Sequence, residues 1–226
     1  MIHIHYFITR LARLSDAEFH RYWRETHGPI AAQVTQLRRY VQSHRIAAEG
    51  HVGSASPYDG VAEAFVDSLE AVAELRKSKE YRDGALADER NFIDLTRVEW
   101  MTTNDHVIID GAVKPGMIKG VWQLKRKPGR SLEDFRKYWI EVHGAMGHKI
   151  PGFRRYVQSH LVDEAYLYAT PQYDGVVNIW FDSPEAMAAA FASPAGQAMA
   201  ADGDVFLDMS STRIFVAQEH IVIERR

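Results

Sequence analysis

The chain contains no cysteine. That absence excludes disulfide frameworks, thiolate nucleophiles and cysteine-ligated metals. It suits a reducing compartment without requiring one. No apolar run approaches the roughly 20 residues that a membrane-spanning helix needs. The opening residues, Met1-Ile2-His3-Ile4-His5-Tyr6-Phe7-Ile8, lack the basic stretch, apolar core and small-residue cleavage site of a signal peptide. The expectation is a cytoplasmic protein with no membrane partner. Charge of one sign is also missing: 27 Lys and Arg face 30 Asp and Glu, a net charge of -3. Nothing in that balance attracts nucleic acid. Phosphate loops, dinucleotide fingerprints, a Gly-x-Ser-x-Gly elbow and a His-Glu-x-x-His zinc motif are absent. What is present is 226 residues of ordinary globular composition, 46% hydrophobic and 25% charged, enough to bury a core.

The most informative feature is an internal repeat. Residues 15–44 and 131–160 align without gaps at an offset of 116, and 14 of the 30 positions are identical. Phe19/Phe135, Tyr22/Tyr138, Trp23/Trp139, His27/His143 and Gly28/Gly144 are among them. The run Arg38-Arg39-Tyr40-Val41-Gln42-Ser43-His44 returns intact as Arg154 to His160. Tyr58-Asp59-Gly60-Val61 returns at Tyr173, Phe92-Ile93-Asp94 at Phe206, and His106 at His220. The segment from Asp110 to Gly116 reads as the linker. Two repeats follow, at residues 1–112 and 117–226.

Each repeat predicts the same order of elements. A strand with period-2 alternation comes first, at residues 2–9 and 118–125. A helix follows, opened by Ser15 or Ser131 as N-cap. Its stripe of Phe19, Tyr22, Trp23, Thr26 and Ile30 marks one buried face. Strands over Tyr40–His44 and Val61–Val66, a helix over Leu69–Lys77, a short helical stretch to Asp88 and a strand over 98–109 complete the copy. The order is β-α-β-β-α-β, the ferredoxin-like arrangement of an α+β fold. A single such sheet leaves one face uncovered, so the expected solution is two sheets packed face to face within one chain, a pseudo-dimeric barrel. A homodimer of the whole chain stays open.

The combination Phe19-x-x-Tyr22-Trp23-x-x-x-His27-Gly28-Pro29, then Arg39-Tyr40-Val41-Gln42-Ser43, then Tyr58-Asp59-Gly60-Val61, resembles the EthD family of the dimeric α+β barrel superfamily. The resemblance spans nearly the whole chain, twice. The second copy departs from it at Ala145, where the first has Pro29. Members of that superfamily include muconolactone isomerases, polyketide cyclases, cofactor-free monooxygenases, dehydratases and haem-binding enzymes. The resemblance implies pockets between sheet and helices, aromatic or polyketide-like substrates and proton transfer without a bound cofactor. It does not choose among reactions.

The titratable residues supply the candidates. His27 and His143 lie four residues after Trp23 and Trp139, on the same helical face. With Gly28-Pro29 expected to end the helix, the dipole there favours imidazolium and raises the His27 pKa. Such an imidazole beside an aromatic surface can move a proton near neutral pH; the plainer reading is a buried histidine that pins the helix. His3 and His5 share one face of the first strand, where the second copy has Lys119 and Val121. Glu63, matched by Asn178, is a potential base if buried among apolar neighbours, or simply a surface glutamate. Tyr40/Tyr156, Gln42/Gln158 and His44/His160 point to one face and offer donors to a substrate oxygen, or form a seam between strands. Tyr22, Trp23, Tyr138 and Trp139 would line the pocket. Asp59 and Asp174 read as turn residues before glycine. No tight metal-ligand cluster is visible, so the expectation is no metal and no cofactor.

These readings converge on a cofactor-independent enzyme acting on a hydrophobic, aromatic small molecule by histidine-mediated proton transfer and elimination, of lyase or dehydratase type. Isomerase or cyclase chemistry, a cofactor-free or haem-dependent oxidoreductase, and a non-catalytic binding or stress protein are the alternatives. The first copy, richer in titratable groups, is expected to be the more active half.

Overall fold

A computed structural model describes residues 1–47, 54–167 and 169–225. In chain order the elements are β1 (Ile2–Ile8), α1 (Asp16–Tyr22), α2 (Gly28–Ala31), β2 (Arg39–Arg45), β3 (Ser54–Ala55), β4 (Gly60–Val66), α3 (Leu69–Lys77), α4 (Leu86–Glu89), β5 (Glu99–Ile109), β6 (Ile118–Leu124), α5 (Leu132–Tyr138), β7 (Arg155–Leu161), β8 (Gly175–Phe181), α6 (Pro184–Ala192), α7 (Pro194–Phe206) and β9 (Arg213–Glu224). The fold is α+β. Among the described residues no helix is long and apolar enough to cross a membrane.

The chain divides into two compact units. Unit 1 comprises Met1–Arg45, Pro57–Thr103 and Glu219–Arg226; unit 2 comprises Ile46–Ser56 and Asn104–Gln218. In unit 1 the strand order is β2-β4-β1-β5. β1 and β2 both pair antiparallel with β4, with His5 opposite Glu63 and Tyr6 opposite Ala62. In unit 2 the order is β7-β8-β6-β9-β3. There β8 pairs antiparallel with both β6 and β7, and β9 antiparallel with β6. The short β3 runs parallel to β9.

The first helix of each unit begins where its sequence says. The Ser15 hydroxyl accepts from the Glu18 amide, and the Glu18 carboxylate accepts from the Ser15 amide, a complete capping box. Ser131 caps α5 through the Asp134 amide. The end of the first helix differs from the expectation. Helical winding continues through Gly28 and Pro29 to Ala31, by way of a π-helical turn over Trp23–His27. Proline is tolerated because the wider turn has already shifted the bonding: the Gly28 amide bonds Trp23 O, five residues back. Pro29 falls in the first turn of α2, where a missing N–H costs little. A side chain secures the π turn. Gln42 Nε2, from β2, donates to Trp23 O at 2.7 Å. Unit 2 repeats the device over Trp139–Gly144, with Gln158 Nε2 donating to Trp139 O at 2.8 Å.

The aromatic stripe packs against the sheet. Phe19 and Trp23 are buried with Ile8, Phe92 and Ile93; Phe135 and Trp139 occupy the matching place in the larger core of unit 2. Gly60 opens β4 because the Trp23 ring lies on it: a Cβ there would sit 2.5 Å from the indole. Gly175 has the same relation to Trp139, at 2.7 Å. The Asp59 beside that glycine is not a turn residue. Its buried carboxylate accepts from the Arg10 amide at 2.8 Å and from Arg45 Nη2 at 2.6 Å, and it pairs with the Arg10 guanidinium. Asp174 likewise holds Arg126, Lys125 and the Tyr166 hydroxyl.

Candidate functional site

Unit 1 encloses a cavity of about 330 Å³ between one face of its sheet and its helices. The even-numbered residues of β1 and β4 form the floor: Ile4, Tyr6, Ile8, Ala62 and Ala64. Trp23, His27, Tyr40, Leu75, Tyr81 and Glu89 are among the walls, and Arg76 and Trp100 stand at the exposed side with the guanidinium 4.0 Å over the indole. The volume falls within the range of small-molecule sites, and few polar groups interrupt an apolar lining.

His27 is the first of those groups. Its Nδ1 lies 3.0 Å from Asp88 Oδ2, while Asp88 Oδ1 accepts from the Tyr22 hydroxyl at 2.7 Å. Placing the proton on Nδ1 gives each contact a donor and leaves Nε2 as the basic nitrogen. Burial lowers the His27 pKa, against the opposing hydrogen bond and charge of Asp88. The expectation of a pKa raised by a helix end is therefore corrected: the helix does not end at His27, and desolvation dominates. For Asp88 burial works upward, yet hydrogen bonds from Tyr22, Asn91 and His27 hold its carboxyl below the ordinary value.

Glu89 is the second group. It is buried, and Tyr6 donates to its Oε2 at 3.0 Å. Burial pushes its pKa up to about 7, with the Asp88 charge adding to the rise and the Tyr6 bond opposing it. Near neutral pH the cavity thus holds an imidazole kept neutral and a carboxyl that keeps its proton about half the time. Sequence reasoning missed both carboxylates. Asp88 could have been found, because at an offset of 114 it matches Asp202. Glu89 matches Gly203 and gave no repeat signal.

The other expected site residues sort into groups. Trp23 and Tyr40 line the cavity; Tyr40 OH accepts from Trp23 Nε1 at 3.2 Å, and burial pushes its own pKa up to about 12. Tyr22 reaches the site only through Asp88. His44 turns toward Gln42, His20 and His220, and burial, with those two neighbours and Arg24, depresses it to about 2. It belongs to a buried seam rather than to the cavity wall. His3, His5 and Glu63 do not join His27. They alternate with the cavity-lining residues of β1 and β4 and so lie on the opposite face of the sheet. There they meet one another: the imidazoles are 3.7 Å apart between centroids, and His3 Nε2 is 3.4 Å from Glu63 Oε1. The expectation that no tight ligand cluster exists is corrected, since its members come from two strands and no linear spacing displays them.

Unit 2 keeps the histidine and loses the space. His143 Nδ1 lies 2.8 Å from Asp202 Oδ2, and Tyr138 donates to Oδ1 at 2.6 Å. Burial lowers the His143 pKa as it does that of His27. The cavity beside it is only about 70 Å³, lined by His143, Tyr156, Trp122, Val177, Ile179 and Met199 among others. Trp139 and Tyr138 are absent from that lining. His160 stacks on Trp139 at 4.2 Å, and burial, with His106 and Arg136, depresses it to about 3.

Comparison with known proteins adds the family. The sequence model of the EthD domain matches residues 12–96 and 127–210. The chain belongs to the EthD family. Both matched spans contain a complete Tyr–Asp–His group, and the first leaves out His3 and His5. Among solved structures, this EthD chain resembles a candidate monooxygenase from Lactobacillus acidophilus NCFM: 10% identity, 99% of this chain and 96% of that one covered, TM-score 0.61. It also resembles an anthrone oxidase-like protein, at 11% identity, 98% and 92% coverage and TM-score 0.64. An EthD family protein from Bacillus halodurans C-125 matches 46% of this chain with 99% of its own length, at 19% identity and TM-score 0.39. The first two likenesses concern the fold. No curated protein sequence matches the chain.

Proposed function

We propose that this protein is a cofactor-independent enzyme that eliminates water, or a comparable leaving group, from a hydrophobic aromatic small molecule bound in the cavity of unit 1. The observation that carries the reading is the Asp88–His27 pair set in the wall of an apolar cavity of about 330 Å³. Elimination needs a base for a carbon-bound proton and an acid for the leaving oxygen. His27, held neutral by burial and oriented by Asp88, supplies the base at Nε2. Glu89, with its pKa near 7, supplies the acid. The proton passes from carbon to His27, the C–O electrons leave with oxygen, and Glu89 protonates the departing hydroxyl to give water. The Tyr6 hydroxyl and the Arg76–Trp100 pair favour a planar, oxygen-bearing ligand.

Turnover of aromatic β-hydroxy ketones under nitrogen, followed by the mass loss of one water, tests this directly. His27→Ala should lose the activity while still binding the ligand. A strict requirement for oxygen would replace elimination with oxygenation after the same deprotonation. Tight binding without turnover would make the protein a carrier. The boundaries of the repeats at 1–112 and 117–226, and their closure as a pseudo-dimeric barrel, belong to the same proposal. Residues 1–112 expressed alone should then dimerise or aggregate, and a well-behaved monomer would refute that closure.

A further inference from the structure

We propose that His3, His5 and Glu63 bind one divalent first-row transition ion, such as zinc or iron(II), on the face of the unit 1 sheet opposite the cavity. All three side chains are buried. One ligand atom from each can be chosen so that all lie within 4.8 Å of one another. The sheet builds the set: His3 and His5 are two apart on β1, so they share a face, and Glu63 stands directly opposite His5 on β4. His3 Nε2 and Glu63 Oε1 are separated by 3.4 Å. That is long for a direct hydrogen bond. It matches the separation of about 3.4 Å between two ligands held tetrahedrally by bonds of about 2.1 Å.

Neighbouring groups orient the donors as ligands require. The Ser43 hydroxyl donates to Glu63 Oε2 at 2.6 Å, which turns Oε1 toward His3. Thr103 Oγ1 donates to His3 O at 3.0 Å and lies 3.5 Å from His5 Nδ1, beside the ring. Phe65 stacks on the His3 ring at 3.9 Å and fixes its plane. Two imidazoles and a carboxylate are a donor set suited to borderline transition ions rather than to calcium or magnesium. Unit 2 cannot hold this site, having Lys119, Val121 and Asn178 at the matching positions.

The full chain, stripped with chelator and titrated with Co2+, is the test. We expect one equivalent bound, with a visible spectrum and X-ray absorption showing two imidazole nitrogens. His3→Lys and Glu63→Asn introduce the residues that the second repeat itself carries at those positions. Each should lower Co2+ affinity at least tenfold with an unchanged circular dichroism spectrum. In the wild-type chain, paramagnetic broadening should centre on the backbone resonances of Ser43, Ala64 and Thr103, which locates the ion whether or not either variant folds. No binding by wild-type protein overturns the proposal. So does broadening centred on His20, His44 and His220, or equal affinity in a folded variant.

Discussion

Glu89→Gln offers the sharpest check on the cavity, because its effect is a stability that changes with pH in one direction only. The Glu89 carboxyl is raised from an ordinary 4.5 to about 7 by burial. The folded protein therefore holds this proton more tightly than the unfolded chain. The stabilisation is fully present below about pH 4.5, declines as pH rises, and is gone above about pH 7. A shift of about 2.5 units at about 1.36 kcal/mol each corresponds to roughly 3 kcal/mol. Glutamine keeps the shape and offers Tyr6 an acceptor, but does not titrate. Urea unfolding of wild type and Glu89→Gln between pH 4.5 and 8 measures the difference. Other titrating groups are common to both proteins and cancel. Wild type should lose roughly 3 kcal/mol relative to the variant across that window, equivalent to about 6–12 °C in Tm for a chain of this size. Parallel stability curves would refute the reasoning, and would mean that water reaches Glu89 freely.

His27→Ala should lower turnover by about 10²–10⁴, and His143→Ala should cost stability while leaving most of the activity; equal losses in steady-state kinetics would assign the chemistry to both units. Asp88→Asn removes the charge that opposes desolvation of His27, so NMR titration should find the His27 midpoint lower still, and an unchanged midpoint would sever the pair. Gly60→Ala places a methyl within 2.5 Å of the buried Trp23 ring, so thermal unfolding should show a loss of about 1–3 kcal/mol, whereas a neutral result would mean that the indole moves.

The elements were legible in the sequence because their signals are local. Period-2 alternation, serine caps and aromatic spacing place β1, α3 and the start of α1 within a residue or two. The continuation of the first helix past Gly28-Pro29 was not legible. It depends on a π turn, and that turn is clamped by Gln42, a side chain from another element. The site divides in the same way. His27, Trp23 and Tyr40 could be named from motif and spacing. Asp88 and Glu89 sit about 60 residues later in a short helix whose face toward the cavity is set only by tertiary packing. His3, His5 and Glu63 stand out in the sequence as peculiar to the first repeat, but no local signal tells that they face away from His27. The alternation that puts His3 and His5 together also puts them opposite Tyr6 and Ile8, and the helices lie on the Tyr6 side.

The two repeats, set against each other, show what separates an open cavity from a nearly filled one. They share the Tyr–Asp–His group with nearly the same distances, so that group alone does not account for the larger cavity of unit 1. The difference lies in volume and in one carboxyl. On the floor, Ala62 and Ala64 are replaced by Val177 and Ile179, and in the wall Ala85 is replaced by Met199. Tyr6 becomes Trp122, whose ring lies over Gly120, the position of Ile4: a Cβ on that glycine would sit 2.3 Å from the indole. Phe191, in place of Arg76, closes against Trp122 at 5.7 Å. Most of these changes add apolar bulk to the same space, and Glu89 gives way to Gly203. A histidine retained in a filled cavity retains its packing and its bond to Asp202, which is reason enough for its presence. In unit 1 the same pair borders empty volume and a second titratable group. There the buried carboxyl is met by the Tyr6 hydroxyl, which offsets part of its desolvation, while the unfilled space keeps a cost that a bound ligand would remove.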